Sequence, residues 1–222
     1  MGVLLMLMTI GGVIFAIILT AIALISKRIW LLKFTFSAVL VWFAFYAAML
    51  VGFSLESQEK DLALNQPKSY CGFYLDCHMH TMVTGVRTTK TIGDQTADGI
   101  FYVANVKVFS DARNPNIKLR LITPDAVVVD ANGTRYSRNE QAESRLPSAA
   151  VDLGGDIHSR DTIEKEIVFD LPQGVPNPRL DIREGYGIDH AIEAVLVDDE
   201  DSVLHKRSYF KLREQTETAG VK

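Results

Sequence analysis

GVLLMLMTIGGVIFAIILTAIALIS at residues 2–26 and FTFSAVLVWFAFYAAMLVGFSL at residues 34–55 contain no charged side chain. At a rise of about 1.5 Å per residue, each run is long enough to cross the roughly 30 Å hydrocarbon core of a bilayer as a helix. Between them lies Lys27-Arg28-Ile29-Trp30-Leu31-Leu32-Lys33, which holds the only three charges of the first 55 residues, all basic. The pattern predicts a transmembrane α-helical hairpin over residues 1–55, with spans at 2–26 and 34–55 and a loop at 27–33.

Charge also predicts orientation. Lys and Arg close to the ends of spans stay in the cytoplasm, and acidic residues count for little. No Lys or Arg precedes the first span, and Lys60 and Lys68 beyond the second are diluted by Glu56, Glu59 and Asp61. The loop is therefore expected in the cytoplasm of a bacterial-type plasma membrane, with both termini and the C-terminal domain on the extracytoplasmic side. A cleaved signal peptide fits less well, because the run lacks a basic n-region, a short h-region and an A-x-A site before Lys27.

Small residues recur every fourth position in both runs, at Gly12, Ala16 and Thr20 and at Ala44, Ala48 and Gly52. Such faces let helix backbones approach closely, within the hairpin or against another subunit. Neither run contains an ionisable group, so an ion pathway or proton relay through these helices is not expected. Trp30 lies where an interfacial belt residue would.

All 27 acidic residues follow Leu55, against 20 of the Lys and Arg, so the remainder of the chain has a formal net charge of −7. That balance excludes the basic footprint that nucleic acid requires. Residues 56–69 are polar with little periodicity and predict a linker. Residues 70–213 are long enough for one domain with a core, and 214–222 form a polar tail.

Within the domain the hydrophobic period is two. His80–Arg87, IFYVANVKVF at 100–109, Ile117–Ile122, Ala126–Asp130, Thr134–Ser137, IEKEIVFDL at 163–171, Arg179–Arg183, Ile192–Val197 and Val203–Leu212 all predict strands. Asn132-Gly133 marks a tight hairpin turn. Asn139–Leu146 allows a short helix, and 147–161 predicts a long loop. Many short strands separated by turn signals predict an antiparallel β-sandwich.

The order of three motifs resembles a known family. Tyr102-Val103-Ala104-Asn105-Val106-Lys107-Val108 precedes a hairpin with D-x-N-G-x-x-Y at Asp130–Tyr136, and D-T-x-x-K-x-I-V-F-D-L-P follows at Asp161–Pro172. This resembles the telokin-like, immunoglobulin-fold extracytoplasmic domains of unknown function in bacterial membrane-anchored and secreted proteins, over residues 78–212. The resemblance implies an immunoglobulin-like sandwich and a binding or scaffolding role. It supplies no catalytic residues.

Chemistry concentrates in Tyr70–Met82, which holds both cysteines, Cys71 and Cys77, with His78, Met79, His80 and Met82. A Cys71–Cys77 disulfide is the favoured reading, since the predicted topology puts both thiols in an oxidising compartment. A copper site on Cys71, Cys77, His78 and His80 is an alternative, because thiolate, imidazole and thioether suit copper. In a strand, however, His78 and His80 share one face while Cys77 and Met79 take the other. Further ligands would have to come from His158, His190 or His205. Free thiols with ordinary strand histidines are the third reading.

The layout of two helices followed by an exported β-sandwich also resembles oxidase subunit II, whose cupredoxin domain holds a dinuclear copper centre. That family carries closely spaced cysteines near the end of its β-domain, followed by His and Met. Here both cysteines stand at the start, and the segment after Ile192 has His205 but neither Cys nor Met. The layout matches and the site does not.

No G-x-S-x-G, H-E-x-x-H, P-loop or G-x-G-x-x-G occurs. Asp198-Asp199-Glu200-Asp201 offers hard oxygen ligands for Ca²⁺ but fits a solvated hairpin tip better. The chain is thus expected to be a non-catalytic binding or scaffolding protein without a cofactor. Membrane lipid and other membrane protein subunits are its expected partners, as an accessory subunit of a larger complex. The alternative is a copper or electron carrier.

Overall fold

The computed structural model describes residues 2–70 and 77–212. Four helices occur among them: α1 (Gly2–Ile25), α2 (Ile29–Glu56), α3 (Glu140–Glu143) and α4 (Gly187–Glu193). The strands are β1 (Lys60–Leu62), β2 (Lys68–Tyr70), β3 (Met79–Ile92), β4 (Gln95–Ser110), β5 (Lys118–Leu119), β6 (Asp125–Val129), β7 (Arg135–Ser137), β8 (Ile157–His158), β9 (Thr162–Leu171), β10 (Arg179–Arg183) and β11 (Ser208–Lys211). The chain forms two compact units. One joins Met1–Glu59 to Gly187–Arg207, and the other joins Lys60–Tyr186 to the chain from Ser208 onward.

In the helical unit, α1 and α2 are continuous because neither contains proline and their apolar residues have no β-sheet partner to compete. The connection is shorter than the loop expected at 27–33. Lys27 turns it with φ +53, and α2 is already helical at Ile29, since nothing from Ile29 to Lys33 breaks a helix. Trp30 then stacks on Phe34, with ring centroids 5.8 Å apart. Across the hairpin the Trp42 indole donates to the Thr9 hydroxyl at 3.1 Å. That hydroxyl donates in turn to the Leu5 carbonyl at 2.9 Å. Large apolar side chains stand outward around both helices, with Phe15 61% and Phe36 69% exposed.

The other unit is a β-sandwich. One sheet has the order β1-β11-β10-β6-β7 and the other β2-β3-β4-β9, with β5 and β8 paired beside them. A shared core packs Leu62, Val128, Leu180, Ile182 and Phe210 of the first sheet against Val83, Val106, Val108, Ile167 and Phe169 of the second. β4 is buried on both faces. Phe101 and Val103 turn to a second cluster with Ile92, Ala142, Leu146 and Val168, under α3. The β6–β7 hairpin turns at Gly133, whose φ of +82 suits glycine. Asp130 braces that turn by accepting from the Asn132 and Thr134 amides, both at 2.8 Å.

Several sequence-based expectations need correction. Residues 56–69 are not a featureless linker, because they hold β1 and the start of β2. The sandwich is not wholly antiparallel, since β1 pairs parallel to β11. The expected strand at 117–122 shrinks to β5, as Thr123 adopts φ +41. The expected strands at 192–197 and 203–212 are replaced by α4, turns and β11. Leu204 at φ +67 and Asp198 at φ +65 interrupt extended backbone, and the Val203 amide bonds the Ala194 carbonyl at 3.0 Å. Asp198–Asp201 consequently sits in turns rather than at a hairpin tip.

Candidate functional site

His78 and His80 flank the start of β3, where the pleat sends Met79 into the core and turns both imidazoles away from it. His80 pairs with Ser69 on β2 and Phe109 on β4. Its ring stacks on Phe109, centroids 5.1 Å apart. Nδ1 lies 3.0 Å from the Ser69 hydroxyl, and Nε2 lies 3.3 Å from Asp111 Oδ1. The same carboxylate oxygen lies 2.6 Å from His78 Nδ1.

Two imidazoles therefore share one carboxylate. The His78 bond, then the His80 bond, hold the Asp111 carboxyl below its usual range. As an anion, Asp111 only accepts, so His80 Nε2 carries a proton towards it. Asp111 follows β4 immediately, and its amide bonds the His78 carbonyl at 3.2 Å. No motif in the sequence links residue 111 to 78 and 80. Only the β3–β4 register, Met79 opposite Ser110, brings them together.

Of the remaining residues considered for metal, Cys71 and the expected Cys71–Cys77 bond lie outside the described residues. Cys77 directly precedes His78. His158 pairs with its own neighbour Asp161 at 3.4 Å. His190 and His205 belong to the helical unit.

Among the described residues, one group of three potential ligands lies together: His190, Glu193 and Asp201, with ligand atoms within 4.8 Å of one another. His190 and Glu193 are one turn apart on α4 and bond at 3.1 Å. Asp201 pairs with Arg207 at 2.6 Å. Burial, with repulsion from Asp201 and Asp199, raises the Glu193 carboxyl, opposed by the His190 bond. Burial, with repulsion from Asp201 and Glu200, raises Asp199. The group offers one imidazole nitrogen and two carboxylates, a predominantly hard donor set. The sequence singles out Asp198–Asp201 and, separately, His190, but does not join Asp201 to His190 and Glu193, because the expected strand at 192–197 overlaps the end of α4.

No family model matches the chain.

No curated protein matches it either. Solved structures do match at low identity. A secreted protein of Mycobacterium tuberculosis, MPT63, is 11% identical with a TM-score of 0.46, covering 70% of this chain and 99% of that one. A conserved hypothetical protein of Bacillus anthracis is 15% identical with a TM-score of 0.40, covering 54% and 94%. An uncharacterized β-sandwich protein of Clostridium difficile is 11% identical with a TM-score of 0.37, covering 71% and 97%.

The helical unit has a feature of another kind. An apolar groove of about 320 Å³ runs between α1 and α2, and Gly12 and Ala16 line it with Thr35, Ala38 and Trp42. A Cβ added at Gly12 or Gly52 would meet nothing within 4 Å. Neither glycine is thus a point of close backbone approach inside the hairpin. Gly2 is a point of close approach, though to the 187–207 segment rather than to α2, because a Cβ there would collide with the backbone of Val197.

Proposed function

We propose that this chain is a membrane-anchored, non-catalytic binding or scaffolding protein with an immunoglobulin-like sandwich. Its hairpin spans a bacterial plasma membrane with Lys27, Arg28 and Lys33 in the cytoplasm. Its sandwich stands outside, where Cys71 and Cys77 form a disulfide, and it serves as an accessory subunit of a larger membrane complex.

The observation that carries this reading is the outward apolar surface of α1 and α2, with Leu4 64%, Ile17 63% and Val41 66% exposed. A helix apolar on every side is stable only when lipid or protein covers it.

An epitope at the C-terminus of the full-length chain tests the topology. Antibody binding on intact spheroplasts, with the protein resisting carbonate extraction, is the expected result. Binding only after lysis overturns the orientation, and release by carbonate overturns the anchor. Gentle detergent extraction tests the subunit role. Stoichiometric co-purifying membrane proteins are expected, and a chain that runs alone as a monomer removes that part of the reading.

A further inference from the structure

Gly187–Arg207 leaves the sandwich between β10 and β11 and belongs to the helical unit, although some 130 residues separate it from α2. Three contacts set its level. The Tyr46 hydroxyl donates to the Val195 carbonyl at 2.7 Å. The Lys206 amide donates to the Ser57 hydroxyl at 2.8 Å. Gly2, the first residue of α1, meets the backbone of Val197, and Leu196 and Val197 are buried. Tyr46 lies ten residues before the end of α2, about 15 Å along the axis. The segment therefore lies beside the outer turns of the hairpin, not beyond them.

Its exposure pattern is mixed. Its exposed side chains include the large apolar Ile188, 70% exposed, Val195, 45%, Val203, 51%, and Leu204, 64%, together with His190, Asp198 and Lys206. The carboxylates of Glu193 and Asp201 are withdrawn, at 26% and 23%, and spend their charge on His190 and Arg207. Leu204 also holds a left-handed φ of +67, a conformation that a bulky residue keeps only where its surroundings favour it. Bulky apolar groups exposed beside charged ones is the pattern of an amphipathic element resting at a membrane interface, and Tyr46 beside it is a residue of interfacial belts.

We infer that Gly187–Arg207 is a second membrane element, lying in the outer headgroup–acyl boundary against α2 with Ile188, Val195, Val203 and Leu204 in lipid. The occupant of this face is lipid because the face continues the apolar surface of the hairpin at the same level. The inference rests on the membrane reading of that hairpin. It makes the anchor tripartite: two spans and one interfacial brace that is also the chain's path into β11.

A nitroxide on Leu204→Cys in full-length protein reconstituted into phosphatidylcholine vesicles tests it. Wild-type protein treated identically supplies the background from Cys71 and Cys77. Oxygen concentrates in lipid and a nickel chelate in water, so their collision rates report depth. Labels at Phe15→Cys, in the middle of α1, and Asn132→Cys, on the β6–β7 turn, are the references. The expected result is a Leu204 label collided with by nickel several-fold less than the Asn132 label, with oxygen access approaching that at Phe15. A water-accessible Leu204 beside a lipid-accessible Phe15 overturns this inference alone. Water access at both positions overturns the hairpin reading beneath it. A Leu204 label shielded from both reagents shows a protein on this face and overturns lipid as its occupant.

Discussion

The ammonium of Lys68 on β2 lies 3.9 Å from the carboxylate of Asp181 on β10, and the two side chains are only 8% and 0% exposed. The pair joins the two sheets through the sandwich. Lys68 also donates to the Ile182 carbonyl at 3.0 Å. Tyr70 donates to that same carbonyl at 3.1 Å and takes the Thr81 hydroxyl at 2.9 Å. Arg183 completes the site with contacts of 2.8 and 2.6 Å to Asp181.

Removing one partner of a buried pair leaves a charge without compensation, which costs about 3–5 kcal/mol. Asp181→Asn keeps the shape and deletes the charge, so it should lower the unfolding free energy of the detergent-solubilised protein, read from urea denaturation, by about that much. Lys68→Met combined with Asp181→Leu should recover a large part of the loss. An Asp181→Asn protein that unfolds with the wild type would show that the pair contributes nothing.

The Trp42–Thr9 bond is the matching tie in the hairpin. Interhelical hydrogen bonds in membranes couple by about 0.6 kcal/mol on average and at most about 1.7. Trp42→Phe and Thr9→Val should each destabilise the hairpin in mixed micelles, and the double variant should lose less than the two losses added. Strict additivity would mean that the bond is not made in the membrane.

These two ties show which parts of the molecule were legible in the sequence. Charge-free runs declare long apolar helices, and the period of two declared β3, β4, β6, β9 and β10, because burial on one or both faces writes itself into residue order. Lys68 looked like a linker residue, since a three-residue strand is too short to show a period. Residues 187–207 misled for the opposite reason. Their apolar positions alternate as a strand's do, but they face α2, Gly2 and the outside rather than a sheet. The candidate site was half visible. His78 and His80 share a face by parity alone, whereas Asp111 depends on the pairing register of β3 with β4.

Asp130 provides a test of charge in the β6–β7 turn. Burial pushes its carboxyl up, but bonds from the Thr134 and Asn132 amides and from Tyr136 outweigh burial and leave it below the usual range. A carboxyl depressed by folding stabilises above its unfolded pKa, about 3.9, and that stabilisation disappears as pH falls through the folded value. Asp130→Asn keeps an acceptor for the amides and removes the charge. Wild type should exceed it in stability at neutral pH, and the two curves should converge in acid below about pH 3.9. A gap that persists unchanged at low pH would assign the effect to shape instead.

Tyr46 reaches Val195 with a single hydroxyl. Tyr46→Phe removes that bond, a net loss of about 0.5–1.5 kcal/mol, without disturbing a core side chain. Hydrogen exchange should therefore accelerate roughly two- to tenfold in Gly187–Arg207. It should stay unchanged in β3, β4 and β9, which belong to the other unit. Uniform acceleration across the chain would mean that the segment and the sandwich open together and that Tyr46 holds nothing locally.

The Tyr70–Met82 cluster separates a structural bond from a metal site. Copper bound to His80 would have to displace either Asp111 from Nε2 or Ser69 from Nδ1, while on His78 it would have to take Nε2 and leave Asp111 on Nδ1. A disulfide asks nothing of those rings. Protein purified without reductant should show by mass spectrometry an intact Cys71–Cys77 bond and, by metal analysis, no stoichiometric copper. His78→Gln with His80→Gln should leave both results unchanged. Stoichiometric copper lost in that double variant would reverse the assignment and turn an anchored scaffold into an electron or copper carrier.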